Sequence, residues 1–211
     1  LNLERIGYWD SFYSGKKLNS PLYPSQFAAF AIGEAPDASR VFEFGCGNGR
    51  DAQFFASYGL DVTALDASES AIELCNKRNQ YKNLRFKQFA LGDDMANIVD
   101  RDHPTTGKAL LYARFFLHAI TDEDEENFFS IARELVDVGS VIALEYRCSE
   151  DEHVEKEFGQ HFRRYLKHSD LCGRVTNAGF DISYQIEGKG FAKYRAEDAV
   201  VGRCIAIRKA V

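Results

Sequence analysis

Three glycines at alternate positions follow an acid in the run Glu43-Phe44-Gly45-Cys46-Gly47-Asn48-Gly49. The run sits between an apolar stretch and a helix-forming one. There, glycines let the chain turn tightly and let a ligand press on bare backbone, while the helix start offers unpaired N–H groups. Asp66 closes the next apolar stretch, a position from which a carboxylate reaches the two hydroxyls of a ribose lying across strand tips. Farther on stand Arg114, Phe115 and His118, and then Glu145-Tyr146-Arg147, Asp151 and His161-Phe162-Arg163-Arg164-Tyr165. Arginines suit bidentate recognition of phosphate or carboxylate, and a histidine titrating near neutrality can deprotonate a hydroxyl. Arg147, Arg163, Arg164 and Tyr165 are therefore candidate substrate-binding residues, with His161 and His118 as candidate bases. The same segment also reads as a solvated helix laced with ion pairs. Trp9, Phe12, Tyr13 and Tyr23 crowd the first segment. Aromatic faces beside a cationic ligand stabilise charge and exclude water, though these rings equally suit a helix face packed on the domain.

The elements that must position these groups follow from the alternation of short apolar runs with helix-length amphipathic stretches, the pattern of strands joined by crossover helices. Strands are predicted over 41–44, 61–65, 84–89, 109–112 and 141–144. Helices are predicted over about 50–58, 68–79, 121–138 and 170–178, with Gly59 and Gly179 as stop signals. Thr121 and Asp124 have the spacing of a capping box. The polar stretch 148–168 reads as helix or lid. Strands over 180–186 and 200–207, joined by a long connection holding Gly188 and Gly190, suit an antiparallel pair at the sheet edge. Residues 1–39 read as a helical, aromatic-rich cap of the single domain 40–211.

The glycine spacing separates two cofactor classes. Dinucleotide binders use Gly-x-Gly-x-x-Gly, whereas Glu-x-Gly-x-Gly-x-Gly here resembles motif I of class I S-adenosylmethionine-dependent methyltransferases. Asp66 matches their ribose-binding acid. The segment Arg114-Phe115-Phe116-Leu117-His118 looks like the one after their fourth strand, and Gly179-Phe180 with two terminal strands resembles their closing hairpin. The resemblance spans about 40–207 and implies a Rossmann-like α/β fold: a seven-stranded mixed sheet in the order 3-2-1-4-5-7-6 with helices on both faces. It further implies that Glu43 faces the methionine amine, that Gly45, Cys46 and Gly47 admit the amino-acid moiety, and that Asp66 holds the ribose. Asn48 and Asp51 are further candidate contacts. Arg114, Phe115 and His118 are placed near the transferred methyl group; the aromatic character of the first segment, not the resemblance, puts Trp9 and Tyr13 over the cofactor. Where the family often carries an adenine-binding acid this chain has Ala90, so the base is left to the backbone of Phe89 and Ala90 or to Asp93, with Leu65 and Ala67 as apolar walls. More loosely, the polar segment resembles methyltransferases of bacterial surface-glycan intermediates and phosphorylated sugars.

The expected reaction is O-methylation of a small, sugar or phospho-sugar acceptor, with S-adenosylhomocysteine as product. N- or S-methylation and a non-catalytic cofactor-binding module are the alternatives. A nucleotide-dependent oxidoreductase is disfavoured by the glycine spacing. The 211 residues, 45% hydrophobic and 27% charged, suit one soluble globular domain. A net charge of −6 disfavours nucleic acid as a partner. No run of about 20 apolar residues and no signal-peptide pattern occurs, which points to a cytoplasmic protein without a membrane span. Five cysteines without a Cys-x-x-Cys pair argue for reduced thiols rather than a disulfide framework or zinc site, and no metal is expected. The chain opens on Leu1 and holds one methionine, Met95, which reads as a processed product or a part of a larger multidomain protein.

Overall fold

The computed structural model describes residues 2–15, 22–98, 107–151, 162–194 and 197–210. Two helices come first, α1 (Asn2–Ser14) and α2 (Gln26–Glu34). They precede β1 (Arg40–Phe44), α3 (Arg50–Ser57), β2 (Asp61–Asp66), α4 (Glu69–Arg78) and β3 (Leu84–Gln88). The second half holds β4 (Ala109–Arg114), α5 (Asp122–Leu135), β5 (Val141–Arg147), α6 (His168–Asn177), β6 (Phe180–Gly188) and β7 (Val201–Arg208). The strands form one sheet in the expected order β3-β2-β1-β4-β5-β7-β6, parallel except for β7, which runs antiparallel to both neighbours.

Alternation along the strands splits the core into two layers. Phe42, Phe44, Leu111, Ile142 and Leu144 pack with Phe128 and Leu135 of α5 and Leu171 and Val175 of α6. Val41, Val62, Ala64, Leu110 and Tyr112 point the other way, onto Phe27 of α2, Phe55 of α3 and Ile72 of α4. Each large apolar side chain so buried contributes about 1.5–3 kcal/mol. Central strands buried on both faces explain why every residue of β1 and β5 is buried and why β5 opens on the apolar run from Val141 to Leu144 rather than alternating.

The local signals act as the sequence predicts. Thr121 and Asp124 form the reciprocal capping box of α5. Ser25 and Ser68 cap α2 and α4. Gly59 and Gly179 adopt positive φ after α3 and α6. The polar stretch, read as helix or lid, falls in part outside the described residues, which stop at 151 and resume at 162. Its described part holds one 3-10 turn, Ser149–Asp151, and an extended run whose Leu166 bridges Cys148, with no α-helix before His168. Among the described residues no helix is long and apolar enough to cross a membrane.

Candidate active site

The carboxyl ends of β1, β2 and β4 open into a cavity of about 740 Å³. Its floor is the glycine loop. Gly45 and Cys46 donate their backbone N–H groups to Leu65 O at 2.8 and 3.0 Å, so the loop leans onto the end of β2. Asp66 is fixed there by two backbone donors, Gly47 N–H to one oxygen and Ser68 N–H to the other, both at 2.9 Å. Each carboxylate oxygen keeps a second lone pair for a ligand hydroxyl. Burial raises the Asp66 carboxyl above its ordinary range, opposed by those two N–H groups.

Gly45 and Gly47 have φ of 72° and 54°. A Cβ on Gly45 would lie 2.8 Å from the Phe116 ring, and one on Gly47 would lie 2.3 Å from the Tyr13 hydroxyl. Both positions therefore need glycine for backbone conformation and for space. Cys46, Asn48, Ala67, Phe89 and Ala90 complete this end of the cavity. Asp93 is not among the lining residues; it folds back to accept the Ala90 N–H at 2.8 Å.

Glu43 lies buried near the tip of β1, and its Oε2 has no hydrogen-bond partner among the described residues. Burial, and then the charge of Asp51, push this carboxyl well above the usual range. An unsatisfied buried acceptor costs about 1–3 kcal/mol, more for a charged group. A ligand ammonium group would supply the missing donor. A carboxylate awaiting a cation, a ribose-type acid and a loop open to backbone contact together match the amino-acid and ribose parts of S-adenosylmethionine. Asp51 lines the same cavity but is engaged elsewhere. It accepts from Ser25 N–H at 2.7 Å, from the Ser25 hydroxyl at 2.8 Å and from the Tyr112 hydroxyl at 2.9 Å, pinning the start of α2.

Helix α1 roofs this half. Asp10 accepts from the Ser68 hydroxyl at 2.6 Å and from Ser70 N–H at 3.0 Å, so α1 is latched to the start of α4, next to Asp66. The latch brings Trp9, Phe12 and Tyr13 over the loop, with the Trp9 and Tyr13 rings stacked at 6.2 Å. Tyr23, grouped with them by sequence, is 77% exposed and does not line the cavity.

The other half is arginine-rich. Arg114 donates to Glu145 at 2.7 Å, and Arg203 holds the second oxygen of that buried carboxylate at 2.8 Å. Arg147 is ion-paired with Glu197. Phe115 stands between two of these cations, with the Arg114 guanidinium 4.1 Å and that of Arg147 5.6 Å from its ring centre. Its φ of 55° is the one positive value on a non-glycine residue among those described. His118 is buried and its Nδ1 accepts the Arg147 N–H at 3.3 Å, which commits that nitrogen's lone pair.

Arg163 lines the cavity; burial, and then the charge of Arg147, lower its pKa. Arg164 and Tyr165 do not line it. Arg164 turns to Asp122, Glu125 and Leu117 O, a neutralising cluster at the start of α5 rather than a ligand site. His161 lies outside the described residues. Sequence reasoning missed the connection between β6 and β7: Gly190 to Tyr194 and Glu197 form a wall, anchored by Arg203 donating to Phe191 O at 3.0 Å. Its glycines and charges were visible, but no local pattern placed it over the strand ends.

Sheet order, glycine loop and the acid closing β2 are features shared with class I S-adenosylmethionine-dependent methyltransferase domains. Residues 41–139 match the family model described as "Methyltransferase domain". A curated relative, a probable S-adenosyl-L-methionine-dependent methyltransferase TehB of Haemophilus influenzae, is 31% identical over 61 residues, 29% of this chain. The matched part spans only 21% of that relative's length. Among solved structures, a SAM-dependent methyltransferase of Methanosarcina mazei superposes with TM-score 0.68 at 17% identity, covering 91% of this chain and 100% of its own. The glycopeptide N-methyltransferase MtfA superposes with TM-score 0.67 at 17% identity, covering 89% and 97%. MtfA has also been solved with S-adenosylmethionine and with S-adenosylhomocysteine.

Proposed function

We propose that this chain transfers the methyl group of S-adenosylmethionine to a hydroxyl oxygen of a small anionic acceptor, a sugar or phosphorylated sugar such as a surface-glycan intermediate. The cofactor half rests on one observation above all, the buried Glu43 carboxyl, which belongs to the cavity lining and has one oxygen without a hydrogen-bond partner among the described residues. Glu43 binds the cofactor amine and Asp66 its ribose. Gly45, Cys46, Gly47 and Asn48 admit the amino-acid end. Phe89 and Ala90 border the adenine, with Ala67 and Leu65 as apolar walls, and Trp9 and Tyr13 close over the sulfonium. Bound S-adenosylmethionine supplies a methyl group already activated on a good leaving group. The chain's task is then alignment and exclusion of water, which can supply much of the barrier reduction.

At the acceptor end Arg147, Arg163 and Lys193 line the cavity against Glu197 and Asp124, a cationic excess suited to phosphate or carboxylate. Arg114, held by Glu145, fixes the wall beside the reacting centre. The attacking hydroxyl passes its proton to His161 as base. Asp51, Arg164, Tyr165 and His118 take supporting roles, because their polar groups bind the protein itself or face away from the cavity.

A nitrogen acceptor is the second reading. It is favoured by His118, the imidazole among the described cavity-lining residues, whose Nδ1 is already used; a neutral amine needs no strong base. Calorimetric titration with S-adenosylmethionine and S-adenosylhomocysteine tests the cofactor half. Saturable binding that collapses in Asp66→Ala is the expected result, and no binding to either ligand overturns the reading. Labelled-methyl transfer to phosphorylated sugars and to amines then separates the acceptors. Loss of turnover in His161→Ala with cofactor affinity intact supports oxygen, and unchanged turnover supports nitrogen.

A further inference from the structure

On the sheet face covered by α6, away from the cavity, a second set of reactive side chains meets. The Cys148 sulfur, just past β5, and carboxylate oxygens of Glu150 and of Glu187 near the end of β6 all lie within 4.8 Å of one another. Cys148 is buried and both glutamates are exposed, Glu150 accepting from the Ser149 hydroxyl at 3.0 Å. The strand ends are brought level by β7 between them: Arg147 and Gly188 both pair with Val201, and Cys148 donates its N–H to Val200 O at 3.0 Å.

Soft and basic groups stand behind these three. The Tyr146 hydroxyl lies 2.6 Å from His168 Nδ1, and His168 Nε2 lies 3.8 Å from the Cys172 sulfur. Cys172 and Cys204 are both buried thiols of the same core layer. Gly202 in β7 makes room for this arrangement, since a Cβ there would stand 2.6 Å from both His168 Nδ1 and the Tyr146 ring. A glycine within an inner strand loses packing and conformational entropy. Here it opens the slot that His168 occupies.

From this juxtaposition we propose a zinc site: Cys148, Glu150 and Glu187 as ligands, solvent in the fourth position, and His168 as a positioning residue beside them. The donor set decides the metal. Thiolate excludes calcium and magnesium as resident ions, whereas mixed sulfur and oxygen ligation at tetrahedral geometry suits zinc. Zinc–sulfur and zinc–oxygen lengths of about 2.3 and 2.0–2.2 Å put tetrahedral donors roughly 3.5 Å apart. Since no two of these donors are more than 4.8 Å apart, small side-chain movements bring the set to that spacing. Binding displaces the Cys148 proton to solvent and leaves the sulfur as thiolate. The ion would staple the ends of β5 and β6 across β7, and the ligands' wide separation in sequence is why no short cysteine motif announces it.

The test uses the full chain, stripped of metal and titrated with zinc and with cobalt. The expected result is one ion per chain, with a sulfur-to-cobalt charge-transfer band in the near ultraviolet and visible bands of a tetrahedral ion. Zinc should raise the melting temperature and a chelator reverse the rise. Cys148→Ser should abolish the charge-transfer band. Glu187→Gln, at an exposed position, should leave the metal-free melting temperature and S-adenosylmethionine affinity unchanged but weaken zinc by more than about tenfold, the least that loss of an outer-shell partner costs. No saturable binding, a cobalt spectrum without the sulfur band, or equal zinc affinity in Glu187→Gln would each overturn the proposal. If Cys148→Ser does not fold, Glu150→Gln and Glu187→Gln decide the matter by themselves.

Discussion

The two halves of the cavity are built on different principles. The floor of the cofactor half comes from one β-α-β stretch and is held mostly by backbone: a loop of five residues between β1 and α3, one acid at the end of the next strand, and N–H groups that fix both. The acceptor half draws on β4, β5, the run before α6 and the connection between β6 and β7, and is held together by ion pairs between side chains. A backbone-built site has one shape and one ligand. A site made of paired arginines and carboxylates can exchange partners, so its preference for an acceptor is the more easily altered by substitution.

The largest expected effect breaks the backbone-built half. Asp66→Ala removes two charge-assisted bonds to ribose at about 1.5–3 kcal/mol each, so S-adenosylmethionine affinity should fall by roughly 10²–10⁴-fold by calorimetry. Gly47→Ala comes next. It places a side chain at φ 54° and against the Tyr13 hydroxyl, with a conformational cost of about 1–2 kcal/mol. Its cofactor affinity should recover in part when combined with Tyr13→Phe, which deletes the clashing oxygen; no recovery would mean that backbone strain alone is responsible. Arg163→Ala probes the other half. Acceptor KM should rise by about 10–150-fold, the value of one charged hydrogen bond, while calorimetry of the cofactor shows no change. A matching loss of cofactor affinity would dissolve the distinction between the halves.

Two smaller effects sharpen the picture. Asp10→Ala removes the carboxylate that caps the start of α4 from another helix. At about 0.5–2 kcal/mol for a lost cap, it should lower thermal stability and weaken cofactor binding severalfold by loosening α1. The smallest effect is a pH slope. The Glu43 carboxyl is raised in the folded chain, so the unfolded chain binds fewer protons between the ordinary glutamate range and the raised value. Stability of the cofactor-free protein should therefore fall as pH rises through that window. Glu43→Gln should flatten the fall, and S-adenosylmethionine, by supplying a cation, should oppose it.

The same contrast explains what could be read from sequence. The strands and the glycine loop were legible because their signals are local: apolar runs, stop glycines, caps, and an acid one strand after the loop; the strand order came with the family resemblance. Residues whose roles depend on distant partners were not. Asp51 looks like a ligand contact in its motif, yet Ser25 and Tyr112 claim it. Arg164 looks equivalent to Arg163, but Asp122 and Glu125 on α5 turn it away from the cavity. The wall from Gly190 to Tyr194 carries no periodicity, and only closure of the β6–β7 hairpin brings it over the strand ends.

Phe115 has a consequence for how this protein would respond to improvement. Glycine would relieve its left-handed backbone, and a search for thermostable variants would select that exchange. The ring, however, belongs to the cavity lining and holds the guanidinium groups of Arg114 and Arg147 against it. A chain with glycine there should outlast its parent on heating yet admit water to the reacting centre, trading yield of methylated product for hydrothermal endurance.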